Sequence, residues 1–235
     1  MKEFHYKSRD ELYKKVAERC AQGLTRGVEK RGRASFVVPG GSTPAPVFGL
    51  LSEMSLDWHN VFVAPSDERW VDTSHAQSNE GLINRTLLVN KASKARLMPL
   101  KNEAATPELG EIDSEKSISL LERPFDITLL GMGPDGHFAS LFPGSAQLSD
   151  ALNPSLEKPC IGIDATGCPV AGEYTERMSL TLSAILNSRL IILLITGDEK
   201  LSVMREAKEN YAPELTPISA LLNQSDTRLE IHWAG

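Results

Sequence analysis

The chain has 235 residues, which is long enough to bury a core and compatible with one α/β domain over residues 1–235, the organisation we favour over two small domains. Its 31 acidic residues outnumber its 25 lysines and arginines, giving a net charge of −6 without any basic block, so a nucleic-acid surface is not expected. Three unevenly spaced cysteines do not suit a disulfide framework, and no apolar run approaches the length of a membrane span, so we expect a soluble, cytoplasmic protein.

Helix and strand patterns alternate from the start of the chain. Ser8 to Glu11 have the form of a capping box, and apolar residues then recur at every fourth position, which predicts a helix to about Lys30. Residues 34–38 form an apolar run typical of a strand, and a helical pattern follows at residues 45–51. A second short strand is predicted at residues 60–64, followed by a helix through Leu82, Ile83 and Leu87.

A glycine-rich turn joins the first of these strands to its helix. Backbone N–H groups and the positive end of the helix dipole meet in such a turn, so the sequence predicts a phosphate cradle. The cradle consists of Gly40, Gly41, Ser42 and Thr43. Two other interpretations are a plain structural turn and a nucleophile elbow with Ser42 as nucleophile. The elbow is disfavoured because Pro44 stands where that motif needs glycine.

A second turn rich in glycine follows the apolar strand predicted at residues 125–130. Its glycines allow close approach of the backbone to a ligand, and Asp135 and His137 can project from the same tight turn. An ionisable pair at the end of a buried strand predicts the chemical centre of the protein. A structural turn with an exposed histidine is the alternative.

The second half of the chain continues the alternation. Residues 101–122 predict a helix that covers the sheet before the strand at 125–130, with Leu109, Ile112, Ile118 and Leu121 on one helical period. Residues 145–175 read as a long loop with a short strand at 160–163, and residues 176–182 lead into a helix at 183–187. The remaining predicted elements are a strand at 189–196, a helix through Leu201 and Met204, a helix after Thr216 and a strand at 229–233.

Strands that alternate with helices predict a mostly parallel, doubly wound α/β sheet with helices on both faces. The ligand crevice of such a sheet lies beyond the carboxyl ends of the strands. Arg69 follows the strand at 60–64, and Lys200 begins the helix after the strand at 189–196, so both are placed near this crevice. A lysine at a helix N-terminus is electrostatically misplaced unless an anion joins it.

Separate strings between about residues 36 and 205 resemble the 6-phosphogluconolactonase family, which is related to glucosamine-6-phosphate deaminase. They are Gly-Gly-Ser-Thr-Pro, Asp-Glu-Arg-x-Val, Gly-x-Gly-x-Asp-Gly-His and the strings around Arg177 and Lys200. The resemblance implies a Rossmann-like fold of the sugar-phosphate isomerase type. It further implies hydrolysis of 6-phospho-D-glucono-1,5-lactone to 6-phospho-D-gluconate in the pentose phosphate pathway, with neither a metal nor an organic cofactor.

The chemistry of lactone opening, together with the resemblance, predicts roles for individual residues. His137 is the general base on water, Asp135 supports it, and Arg69 or loop N–H groups hold the developing oxyanion. The substrate and its phosphate are bound by the cradle together with Asp67, Arg177 and Lys200. For the two cations, the alternative is that both are solvated surface residues.

Two positions depart from the family pattern, and one histidine stays open. Ser66 stands where the family usually has glycine, and Phe138 stands where it usually has threonine. His75 lies in a His-x-x-Ser-Asn string like that of the family, but a surface histidine near a helix start is as good an interpretation. The sequence leaves the oligomeric state open and slightly favours a monomer.

Three other functions are kept for comparison. Glucosamine-6-phosphate deaminase shares the cradle and the Asp-Gly-His string, but it carries an acidic residue in the next segment, where residues 141–144 here have none. A non-catalytic sugar-phosphate sensor would need a DNA-binding segment, for which no basic helix is present. A metal hydrolase would have to use His75, Asp67, Asp135 and His137, whose spacing matches no recognised metal motif.

Overall fold

The computed structural model describes residues 1–235. Its ten strands are β1 Lys2–His5, β2 Ala34–Val38, β3 Val61–Pro65, β4 Asp67–Arg69, β5 Arg96–Leu97, β6 Ile127–Leu130, β7 Cys160–Asp164, β8 Glu176–Leu180, β9 Ile191–Thr196 and β10 Leu229–Ala234. Its eight α-helices are α1 Arg9–Arg31, α2 Ala45–Ser52, α3 Asn79–Thr86, α4 Pro107–Ser119, α5 Leu148–Ala151, α6 Leu182–Leu186, α7 Asp198–Glu209 and α8 Ile218–Leu222. None of these helices combines the length and the apolarity that crossing a membrane requires.

Seven strands form one sheet in the order β1-β10-β9-β6-β2-β3-β5, and every neighbouring pair in it is parallel. From β2 the chain moves outward through β3 to β5, and it then returns to place β6 on the other side of β2. The direction of winding therefore reverses between β2 and β6. Such a switch point leaves a crevice at the carboxyl ends of the two strands. The predicted doubly wound sheet is confirmed.

Both faces of this sheet are buried. Phe36 and Val38 of β2 pack in one apolar cluster with residues of α1 and α2, whereas Val37 packs in a second cluster with residues of α7 and α8. Successive side chains of a strand point to opposite faces, so each cluster occupies one face of the sheet. Helix α1 begins as predicted, with the Ser8 hydroxyl accepting the Glu11 N–H at 3.2 Å.

A second sheet of three antiparallel strands, β4-β8-β7, was not predicted. The sequence pattern at residues 176–182 predicts only the approach to a helix, but residues 176–180 form β8, the central strand of this small sheet. The outer strands β1 and β5 were also missed. All four residues of β1 are exposed and β5 has two residues, so neither carries a hydrophobic pattern.

Helix α4 packs differently from its prediction. It lies on β7 and β8 of the small sheet rather than on the seven-stranded sheet. Of the four residues predicted to form its apolar face, Ile118 and Leu121 are buried, but Leu109 and Ile112 are 73% and 67% exposed, so the first half of that face is wrong. There the helix buries Gly110 and Ser114 instead, and the Ser114 hydroxyl donates to the Leu100 carbonyl at 2.6 Å.

Candidate active site

A cleft of about 310 Å³ lies at the switch point between β2 and β6. Nine of the predicted site residues line it: Gly40, Gly41, Ser42, Thr43, Asp67, Arg69, His137, Arg177 and Lys200. They converge because the loops after parallel strands emerge at the same edge of a sheet. The tenth, Asp135, contacts the cleft through its bond to His137.

The loop after β6 presents the histidine. The His137 carbonyl accepts the Gly133 N–H at 2.9 Å, and the Gly133 carbonyl accepts the Gly136 N–H at 3.1 Å, which closes a tight turn. Gly136 has φ +78°, a conformation that favours glycine. A side chain at Gly133 would meet the His137 ring, because a Cβ there would lie 2.2 Å from ring atoms.

The histidine is oriented by the neighbouring carboxylate. Asp135 Oδ1 lies 2.6 Å from His137 Nδ1 and also accepts the His137 backbone N–H at 3.1 Å. Burial alone would raise the pKa of Asp135, but the hydrogen bonds and charge of His137 outweigh it and hold that pKa below its usual value. An ionised Asp135 keeps the proton of a neutral imidazole on Nδ1. Nε2, which has no protein partner, is then left able to accept a proton from a molecule in the cleft.

Two arginines lie side by side on neighbouring strands of the small sheet. Arg69 of β4 pairs in register with Arg177 of β8, and neither forms an ion pair with a carboxylate. Arg177 is 4% exposed and donates to the carbonyls of Ala171 and Tyr174. Burial and then the charge of Arg69 lower the pKa of Arg177 to about 10. Two adjacent guanidinium groups without a counter-ion create a strongly anion-attracting wall.

Arg69 retains an unused donor in this wall. Its Nη1 donates to the carbonyl of Gln77 at 2.6 Å and to Asn79 Oδ1 at 3.1 Å, but its buried Nε has no partner. A buried N–H without an acceptor is costly, and a ligand oxygen would remove that cost. Arg69 is therefore suited to hold an oxygen that becomes negatively charged.

The cradle and Lys200 form a second anion-attracting wall. None of the backbone N–H groups of residues 40–43 donates to a protein acceptor. Lys200, in the first turn of α7, is half-buried and has neither a hydrogen bond nor an ion pair. Burial lowers its pKa, because its ammonium group is partly removed from water. Free N–H groups beside an unpaired ammonium group suit a phosphate.

Asn79 and Ser140 belong to the site, although the sequence analysis assigned a role to neither. The Asn79 amide donates to the Asp67 carbonyl at 2.7 Å, and a Cβ at Gly40 would lie 1.8 Å from Asn79 Oδ1. The Ser140 hydroxyl donates to Asp67 Oδ2 at 2.6 Å. For Asn79 the Ser-Asn string was the available signal, and for Ser140 it was the Ala-Ser-Leu-Phe-Pro-Gly string that follows His137 and Phe138 and also resembles the family.

The buried carboxylate of Glu68 supports the same region. It accepts the backbone N–H groups of Asn79 at 2.7 Å and Glu80 at 2.6 Å, in the first turn of α3. Burial raises its pKa to about 7, although these hydrogen bonds act in the opposite direction. Glu68 thus ties α3, and with it Asn79, to the strand that carries Arg69.

His75 does not line the cleft. Its Nδ1 accepts the Gln77 N–H at 3.1 Å, and its Nε2 lies 3.1 Å from the Tyr174 hydroxyl. The metal-hydrolase interpretation needed His75 beside Asp67, Asp135 and His137. The structure brings no group of three or more histidine, cysteine or acidic residues close enough to hold a metal ion.

Phe138 and Ser42 also receive definite places. The Phe138 side chain is 1% exposed and packs in the apolar core, so the position where the family usually has threonine contributes no hydroxyl to the cleft. Ser42 is exposed and has no hydrogen bond to His137, so the nucleophile-elbow interpretation lacks its base.

Comparisons with known proteins identify relatives over nearly the whole chain. The family model described as glucosamine-6-phosphate isomerases/6-phosphogluconolactonase matches residues 7–233. A 6-phosphogluconolactonase from Caulobacter vibrioides is 36% identical, with 97% of this chain and 94% of the relative covered. A crystal structure of a 6-phosphogluconolactonase from Shewanella baltica is 40% identical and has a TM-score of 0.94, with 100% of this chain and 98% of that chain covered. A monomeric glucosamine-6-phosphate deaminase, 22% identical with a TM-score of 0.77, shares the fold over 98% of this chain and 97% of its own.

Proposed function

The chain belongs to the family of glucosamine-6-phosphate isomerases and 6-phosphogluconolactonases, and we infer that it hydrolyses 6-phospho-D-glucono-1,5-lactone to 6-phospho-D-gluconate in the pentose phosphate pathway. The observation that carries this conclusion is the His137–Asp135 pair, 2.6 Å apart, in a cleft that also holds two anion-attracting walls. One wall takes the phosphate of the substrate. In the other wall, Arg69 takes the oxygen on which charge develops, and Arg177 adds positive charge toward the phosphate.

The substrate is oriented by its charge. Its phosphate accepts hydrogen bonds from the free N–H groups of the cradle and from Lys200, with Arg177 adding positive charge. Asp67 accepts the hydroxyls of Ser66 at 2.8 Å and Ser140 at 2.6 Å, so its carboxylate is held in a fixed position at the cleft, where it also faces the sugar. Holding the phosphate at one end places the lactone carbonyl at the other end, beside His137 and Arg69.

Ring opening then needs one general base and one oxyanion donor. Nε2 of His137 removes a proton from water as the water attacks the lactone carbonyl, a contribution of typically about 10²–10⁴-fold. Arg69 holds the oxygen that becomes negative, and the carboxylate of Asp135 stabilises the transient imidazolium. The imidazolium returns its proton to the departing ring oxygen. No covalent intermediate and no cofactor enters any step.

The deaminase alternative fits the cleft less well. The segment after the catalytic loop, residues 141–144, brings Phe142 against the His137 ring, with ring centroids 4.3 Å apart, and contains no carboxylate. Asp67 is the only carboxylate among the residues that line the cleft, and both of its oxygens accept hydroxyl groups. The acid that would assist opening of an amino-sugar ring is therefore missing.

We further propose that the protein acts in the cytoplasm as a monomer. Its partner is a free sugar phosphate and not a nucleic acid. The predicted site residues that line the cleft already converge within a single chain, which is the arrangement that the monomer proposal needs. Size-exclusion chromatography with activity measured across the eluted peak tests this. Activity confined to a dimer peak would contradict it.

Time-resolved NMR with freshly generated lactone tests the reaction. The lactone signal should decay far faster with the protein than without it, at or below neutral pH, where spontaneous opening is slower. Glucosamine 6-phosphate is the matched substrate control and should stay unchanged. Identical lactone decay with and without protein would refute the lactonase and leave only sugar-phosphate binding.

A further inference from the structure

A second cleft, of about 450 Å³, lies at the opposite end of the sheet, at the amino ends of β6, β9 and β10. Its lining is strongly basic, although the protein as a whole carries a net charge of −6. The cations that line it are Arg19, Arg26, Lys30, Arg31, Arg189 and Arg228. No step of the proposed reaction uses them.

Helix α1 supplies a stripe of these cations. Arg19, Gly23, Arg26 and Lys30 follow one another at spacings of four, three and four residues, so they share one helix face. Gly23 lets that face approach the sheet closely, because a Cβ there would lie 2.3 Å from the side chain of Ile127 in β6. This close approach brings the base of the stripe against β6, while the side chains of Arg26 and Lys30 border the cleft and remain exposed to solvent.

Carboxylates neutralise only part of this charge. Buried Glu230 binds Arg19 at 2.8 Å and Arg228 at 2.6 Å. Buried Asp126 binds Arg31 and lies 3.5 Å from Arg189.

Glu122 adds little, because it approaches Arg31 only at 3.9 Å and is shared with Arg33. Arg26 and Lys30 have neither a carboxylate nor a hydrogen-bond partner. Like charges held together in one cleft repel each other, and a bound anion would relieve that repulsion.

The lining also indicates what kind of anion fits. No aromatic residue lines the cleft, and Ile127 and Leu190 are its only hydrophobic side chains, so nothing is present to stack on a nucleobase. The backbone N–H groups of Asp126 and Arg189, which line the cleft, already donate to the carbonyls of Ser35 and Phe125. Recognition must therefore come from guanidinium and ammonium groups, which favour phosphate oxygens.

From these observations we propose that the cleft binds a compact oligoanion with two or more phosphate groups, either inorganic pyrophosphate or a sugar bisphosphate. Several separate cations around one small cavity match several phosphate charges better than a single one. Arg26 and Lys30 bind its phosphate oxygens, because no protein carboxylate already pairs with these two side chains.

Isothermal titration calorimetry tests the site with pyrophosphate and with fructose 1,6-bisphosphate, and inorganic phosphate serves as the singly phosphorylated comparison. The double variant Arg26→Ala/Lys30→Ala should weaken binding of the preferred ligand by about tenfold or more. Both side chains are exposed and neither has a hydrogen-bond or ion-pair partner, so the variant should keep its fold. The tighter of the two ligands identifies the source of the phosphate groups.

Two controls separate this cleft from general charge effects and from the active site. The double variant Lys14→Ala/Lys94→Ala also removes two positive charges, but from exposed lysines outside the cleft that have no partners, and it should leave binding unchanged. Lys200→Ala alters the other anion-binding cleft and should also leave this binding unchanged. Equal affinity in the wild type and in Arg26→Ala/Lys30→Ala, or binding no tighter than that of inorganic phosphate, would overturn the assignment.

Discussion

Replacing Lys200 by alanine tests the phosphate site, because Lys200 is a cation of the cleft that no protein group pairs with. The ammonium group is half-buried and has no protein partner, and burial lowers its pKa. A phosphate that accepts its hydrogen bond therefore displaces water rather than another protein group. Such a charge-assisted bond contributes about 1.5–3 kcal/mol, so kcat/KM for the phosphorylated lactone should fall by about 10- to 150-fold.

The assay compares two substrates as well as two proteins. 6-Phosphogluconolactone and unphosphorylated gluconolactone are each measured with the wild type and with Lys200→Ala, which forms a cycle between the lysine and the phosphate. The loss should fall on the phosphorylated substrate and mainly on KM. Lys208→Ala is the matched control, because Lys208 lies on the same helix, α7, but pairs with Glu3 at 2.6 Å on the surface. It should leave both substrates within about twofold of the wild type.

An equal loss for both substrates would refute the reasoning. It would mean that Lys200 acts on the sugar ring or on the shape of the cleft instead of on the phosphate. Thermal unfolding of the variant distinguishes these outcomes, because a lysine without a protein partner should contribute little to the Tm.

The remaining predictions concern the catalytic loop and one buried histidine. His137→Ala should lower kcat by about 10²-fold or more with little change in KM, and His137→Gln should not restore kcat. Near-normal turnover in a folded His137→Ala variant would remove this residue from the mechanism. Gly133→Ala should lower kcat by about 10²-fold, because the added Cβ would displace the His137 ring. Gly131→Ala is the control: a Cβ there has no atom within 4 Å, so kcat should fall far less, and equal losses in the two variants would contradict the geometry. His232 is buried, and burial lowers its pKa from 6.5 to about 4, so as the pH falls the unfolded chain binds the proton before the folded chain does. The free energy of unfolding should therefore decrease by up to about 3 kcal/mol as the pH drops from about 6.5 to 4. Urea unfolding of wild type and His232→Gln across that range checks this, and parallel pH profiles for the two proteins would refute it.

Local patterns in the sequence determined much of the architecture. The apolar run at residues 34–38 became β2 with the predicted bounds, and the Ser8 cap began α1 as predicted. Both signals depend on neighbours within a few residues, where hydrophobic periodicity and capping act. The convergence of the cradle with the loop of His137 also followed from sequence, because the loops after parallel strands share one edge of the sheet. The roles of these residues in catalysis stay predictions.

Only the tertiary structure decided the contacts between distant segments. The antiparallel pairing of β4 with β8 sets Arg69 opposite Arg177, although the two are more than a hundred positions apart in the chain. The same folding turns His75 toward Tyr174 and away from the cleft. Helix α4 buries its small residues instead of Leu109 because its partner is the small sheet, which no local pattern announced. A residue's own neighbours set its propensity, but strand pairing and packing across the fold choose what its side chain finally contacts.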